Sequence, residues 1–171
     1  ARQLIVFVAS LFSLASLVDA ADAWPRFRGP SDNGIAPTTT APTTWDRKTN
    51  IAWRTELPGQ GWSSPVIGDG ILYVSAAIPR ADEPAGDYDL ALILVNVESG
   101  EVIRVSNLIA QEGKSAAAIH KKNSHASPTP LIDGDRVYVH FGHQGTVCTD
   151  RKGDVIWTDR EHSFPPVHGN G

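Results

Sequence analysis

The histidines are the first residues that could do chemistry. Of six in the 171-residue chain, four (His120, His125, His140 and His143) fall within one short span. Imidazoles gathered this way could hold a metal ion, and His140 and His143 are close enough in sequence to share one. The pattern goes no further. Phe141-Gly142 separates the pair at an expected strand end, and no carboxylate or cysteine is interleaved at a ligand spacing. A strand histidine beside a turn histidine is the simpler reading, and no metal ligand is assigned.

The carboxylates come next. Asp82, Glu83, Asp87 and Asp89 make an acidic run. A calcium loop needs several oxygens at fixed spacing, closed by a bidentate glutamate. Asp87-Tyr88-Asp89 has only a fragment of that, so the run reads as a solvated loop. Cys148 is the single cysteine, which excludes an intrachain disulfide. It sits in an apolar strand and should be inert. The Gly-x-Ser-x-Gly, Gly-x-Gly-x-x-Gly and His-Glu-x-x-His signatures are absent. No catalytic residue is assigned, and no cofactor-binding residue can be named from the residues alone. A formal net charge of -4 and a lone Lys121-Lys122 pair argue against nucleic acid or an anionic membrane as partner.

The aromatics belong to a repeat. Ile51-Ala52-Trp53-Arg54-Thr55, Val102-Ile103-Arg104-Val105-Ser106 and Val155-Ile156-Trp157-Thr158-Asp159 look alike, and their third residues, 53, 104 and 157, are 51 and 53 apart. The last two follow similar turns, Glu98-Ser99-Gly100-Glu101 and Arg151-Lys152-Gly153-Asp154. Pro65–Val74 also aligns without gaps to Pro130–Val139. Trp53 and Trp157 therefore read as periodic packing residues. Trp62, in Gly59-Gln60-Gly61-Trp62-Ser63, could face a central ligand, with packing as the simpler expectation.

Each repeat predicts four short strands. In the first copy these are Ser64–Ile67, Ile71–Ala77, Ala91–Val97 and Val102–Ser106. In the second they are Thr129–Ile132, Val137–Phe141, Thr146–Thr149 and Val155–Thr158. Glycines at Gly68-Asp69-Gly70 and Ser99-Gly100 permit the positive φ of hairpin turns. Ile78–Asp89 and Asn107–His125 read as loop insertions, and Ile109–Ile119 is the nearest approach to a helix. Leu90-Ala91-Leu92-Ile93-Leu94-Val95 is apolar on both faces, as a strand packed between two layers would be. A period near 50 residues with a repeated turn-and-Trp motif points to an all-β protein, a β-propeller of four-stranded antiparallel blades. About two blades are present, so the propeller is incomplete.

Residues 1–20 have the three regions of a signal peptide in order. Arg2 comes first, then the 15-residue apolar run Leu4–Val18, then small residues around Val18-Asp19-Ala20. The run is shorter than the ~20 residues that span a bilayer. The product should be periplasmic or extracellular, with no transmembrane segment after cleavage. The chain contains no Met and closes on Pro165-Pro166-Val167-His168-Gly169-Asn170-Gly171, which reads as a fragment cut at both ends. The expected organisation is a signal peptide (1–20), an N-terminal extension lying beside the sheets (21–50), a first repeat with insertion (51–106) and a connecting loop (107–127). A second repeat (128–160) and the start of a third (161–171) complete it.

Asp150-x-x-Gly153-x-x-x-Trp157, preceded by Pro130–Val139, resembles the blade motif of the pyrroloquinoline-quinone-like β-propeller repeat family. In the first copy, Val97 stands at the Asp position and Arg104 at the Trp position. Trp24-Pro25-Arg26-Phe27-Arg28-Gly29-Pro30 through Gly34 is similar to the opening of secreted bacterial members, and Asn123–Pro130 to a stretch entering a blade in them. The resemblance covers residues 24–171 and implies one of two functions. One is a non-catalytic exported scaffold that binds protein or polysaccharide partners through its loops and has no cofactor. The other is a dehydrogenase of alcohols or sugars that binds pyrroloquinoline quinone and calcium on the propeller axis, its site lying largely in missing sequence. The adjacent cysteine pair of some quinone alcohol dehydrogenases cannot exist with one cysteine. The scaffold is therefore the favoured expectation.

Overall fold

The computed structural model describes residues 23–36, 41–80, 87–113, 119–120 and 122–162. The expected signal peptide, Asp82 and Glu83, Lys121, and the start of a third repeat from residue 163 lie outside the described residues. No helix among the described residues is long and apolar enough to cross a membrane.

The fold is all-β. Strands β1 (Val66–Gly68), β2 (Ile71–Pro79), β3 (Tyr88–Asn96) and β4 (Val102–Gln111) form one antiparallel sheet in chain order. Strands β5 (Leu131–Asp133), β6 (Arg136–His140), β7 (Thr146–Asp150) and β8 (Val155–Asp159) form a second of the same order. Each predicted strand is present. In the first sheet Asp69 and Gly70 both take positive φ, 53° and 72°, so two residues suffice to reverse β1 into β2.

The sheets pack face to face. Tyr73, Leu90, Leu92, Leu94 and Ile109 of the first meet Ile132, Val137, Val139, Phe141 and Val147 of the second, all buried. Each such side chain contributes about 1.5–3 kcal/mol by leaving water. The other face of β3 is buried too. Ile93 and Val95 pack with Leu72, Val74 and Val102 under the indole of Trp53. The doubly apolar strand is explained: one face meets a sheet and the other meets the chain that precedes β1.

The first sheet departs from the expectation in length. β3 starts at Tyr88 and not Ala91, and β4 runs on to Gln111, through residues expected to be loop. Tyr88 pairs with Gln111, Asp89 with Ala110 and Leu90 with Ile109. Polar side chains hid this extension. Asp89 and Asn107 bond each other across the strands at 3.1 Å on the outside, so a solvated face looked like a loop.

Both sheets carry a β-bulge at the same place. Leu94 pairs with Arg104 and Val95 with Val102, leaving Ile103 over; Cys148 pairs with Trp157 and Thr149 with Val155, leaving Ile156 over. A bulge re-aims the neighbouring side chain. Here it does so for Arg104 and Trp157, the matched repeat positions.

Candidate functional site

All hairpin turns of both sheets, β1–β2, β3–β4, β5–β6 and β7–β8, lie at one end. Strands β2, β4, β6 and β8 end at the other. At the turn end the chain satisfies itself. Asn96 Oδ1 accepts from the amides of Glu98 and Ser99, both at 2.9 Å. Asp150 Oδ1 accepts from Lys152 and Asp154, also at 2.9 Å. Asn96, not Val97, is thus the counterpart of Asp150. The first turn is one residue longer, since Asn96 N reaches Glu101 O whereas Asp150 N reaches Asp154 O, and an ungapped alignment misses the equivalence.

The turns also receive the matched positions 53 and 104 from earlier in the chain. Trp53 Nε1 donates to Val97 O at 2.7 Å, and a Cβ on Gly100 would come within 2.5 Å of the Trp53 ring. One repeat later, Arg104 donates to Lys152 O at 3.1 Å and to Asp154 Oδ1 at 2.7 Å. The guanidinium holds the Asp154 carboxyl below its ordinary range, chiefly through that hydrogen bond. Tyr73 Oη donates to Arg151 O at 2.9 Å, and burial pushes its phenol up. Arg151 in turn donates from Nε to Gly134 O at 3.0 Å and lies 3.4 Å from Asp69.

The loop end gathers the polar side chains singled out in the sequence, though not as one constellation. His140 ends β6 and shares a 2.9 Å hydrogen bond with Thr146. His143 sits in the short 3-10 turn Gly142–Gln144, within hydrogen-bond range of Gln144. The ring of His125 stacks on Tyr88 at 4.8 Å and lies 3.3 Å from Gln111. Burial lowers the imidazoles of His125 and His140, and the neighbouring His143 lowers His125 further. His120 is exposed and accepts from the Lys122 amide. Among the described residues no three His, Cys, Asp or Glu side chains come together. Asp87 and Asp89 turn to Arg80, at 3.5 and 3.9 Å, and Asp87 also accepts from the Gly113 amide. Arg160 donates to the buried Gln144 at 3.1 Å. The result is a set of imidazoles, amides and paired charges that suits hydrogen-bonding recognition. Cys148 is buried, and burial raises its thiol.

The tryptophans divide. Trp53 packs as expected. Trp157 lies 6.0 Å from Tyr138 but is 43% exposed, its outer side uncovered by described residues. Trp62 is 65% exposed and overturns the packing expectation. It borders a cleft of ≈ 420 Å³ lined by Leu57–Gly61, Val74–Ala76 and Ile93. The strand backbone explains its exposure. Gln60 pairs with Ala77, and Gly59 and Gly61 lie so close to β2 that a Cβ on either would sit 2.5 Å from a carbonyl oxygen. The glycines are spent on backbone approach and the indole is left outside. Spaced glycines beside a tryptophan were the available signal.

No family model matches the chain, and no curated protein matches it.

Proposed function

We propose that the two sheets are consecutive blades of an incomplete β-propeller, and that the protein is a non-catalytic exported scaffold binding protein or polysaccharide partners through its loop end. The observation that carries this reading is the recurrence of one contact. Position 53 grips the turn ending at Gly100, and position 104 grips the turn around Gly153. A contact that carries each unit onto the next in the same sense builds a ring when the rotation closes, and propellers close at ~4–8 blades. Ile51–Thr55 then stands where a preceding blade's fourth strand would stand, and Trp157 awaits a following turn. The resemblance to the pyrroloquinoline-quinone-like repeats supports the same arrangement, and the leader-like residues 1–20 support export.

The scaffold role is supported by the division of labour between the ends. Self-bonded turns tie the sheets together at one end while the described residues of the other end carry varied polar side chains, as binding loops do on a rigid frame. The test is addition of pyrroloquinoline quinone with calcium to the protein encoded by the whole gene, followed by gel filtration and an assay of dye reduction with alcohols and sugars. The scaffold reading expects no quinone to co-elute and no reduction. Stoichiometric retained quinone absorbance with dye reduction overturns it in favour of a dehydrogenase.

A further inference from the structure

β1 and β5 are the edge strands at which the two sheets approach each other, their inner edges, and backbone groups at such edges recruit other strands. Here the chain itself fills them at one level. Trp24 and Ile67 exchange two hydrogen bonds, each 2.9 Å, as an antiparallel bridge. The next carbonyl, of Pro25, accepts from Ile132 N at 2.8 Å. A single dipeptide therefore joins the edge of one sheet to the edge of the other. Pro25 has no N–H with which to extend the ladder to a further strand.

The succeeding loop holds the dipeptide in place. Gly29 N donates to Arg26 O at 2.8 Å and Gly34 N to Arg28 O at 2.9 Å, which curls residues 26–34 into a closed loop. Arg26 and Asp32 pair at 3.3 Å across it. Gly29 is buried at φ 73°, and a Cβ there would stand 2.7 Å from the Trp24 ring. Only glycine lets the loop fold back over the indole.

We infer that the inner edges of β1 and β5 form one strand-acceptor site for an extended aromatic-proline peptide, and that residues 24–34 occupy it as a built-in seal. The seal guards both edges against pairing with other chains. It stands on contacts within this chain and not on the ring, so its failure would leave the propeller reading where it was. Where the ring does form, the inner edges surround its axis, and the seal closes the axis at the level of Ile67 and Ile132.

The test is amide hydrogen exchange on the whole chain carrying Gly29→Ala. The seal predicts that Ile67 and Ile132 amides exchange at least tenfold faster while Leu92 and Val95 amides in β3 keep their protection. A synthetic peptide of residues 23–36, added in excess, should restore protection at the two edge amides, and the same peptide with Trp24→Ala should not. Should Gly29→Ala loosen the fold, Asp32→Ala, which removes only the exposed pairing with Arg26, gives a milder form of the same pattern. Unchanged exchange at Ile67 and Ile132 in both variants, exchange that rises equally in β3, or no rescue by the peptide would each overturn the inference.

Discussion

The turn end and the loop end of the two sheets are made from the same strands, yet they use their side chains differently. At the turn end Asn96 and Asp150 each spend a side-chain oxygen on two backbone amides, and Trp53 and Arg104 spend their donors on the next such turn along the chain. At the loop end His125 meets Gln111, His140 meets Thr146 and Gln144 meets His143 and Arg160, pairs that do not recur between the two sheets among the described residues. The difference teaches where the repeat resides. It lies in how one unit grips the next, whereas at the loop end Phe141 and Ala126 join the core and the polar pairs around them are particular to each unit.

The comparison breaks if substitutions at the two ends cost alike. The largest effect is expected from Gly100→Ala. The added Cβ meets the Trp53 ring, and φ is 73°; the change should destabilise by about 2–4 kcal/mol in urea unfolding. Gly70→Ala separates the two contributions. Its φ of 72° is nearly the same, with nothing within 4 Å, so only the backbone cost of about 1 kcal/mol remains. Equal losses at the two glycines would dismiss the inter-repeat contact as a source of stability.

A smaller effect sharpens the equivalence of the turns. Asp150→Ala and Asn96→Ala each remove an oxygen that serves two amides, and each should cost roughly 1–2 kcal/mol. Val97→Ala, at the position an ungapped alignment would choose, should cost less than either, since its carbonyl stays in place for Trp53.

The smallest effect concerns acid. In the folded chain burial lowers His125 and His140 below the ordinary 6.5. The unfolded chain takes up protons at these rings as pH falls through about 6.5, while the folded chain resists. Stability is therefore full above that pH and declines below it, toward the folded-state values. Asp154, held low by Arg104 at the turn end, keeps its charge below its ordinary 3.8, so its contribution is lost only under stronger acid. The loop end should loosen first. Urea midpoints at pH 7.5 and 5 measure this, and His125→Gln should shrink the difference between them. A difference unchanged by that substitution would show that His125 plays no part in the acid response.

Much of the fold was legible in the amino-acid order. Paired glycines marked the hairpins, β-branched runs marked the strands, and Leu90–Val95 announced a strand covered on both faces. The features that escaped notice did so for definite reasons. Tyr88-Asp89 and Asn107 read as loop because a strand's outer face is polar. Asn96 was passed over because its turn is one residue longer than its partner's. Trp62 read as packing because an indole is large and apolar, yet the close approach of Gly59 and Gly61 to β2 decides where it points. The stitching of two sheets by Trp24-Pro25 depends on residues far apart in the chain, and no local pattern encodes it.

The central proposal is that positions 53, 104 and 157 make one repeated contact around a closed ring. An electron cryomicroscopy map of the protein encoded by the whole gene tests it directly. The expected map shows a ring in which the indole of Trp157 donates to a carbonyl of the following blade's turn, as Trp53 does to Val97 at 2.7 Å. Ile51–Thr55 should then lie beside strands of the closing blade. A two-sheet body with the outer face of β8 and Trp157 left in solvent would contradict it.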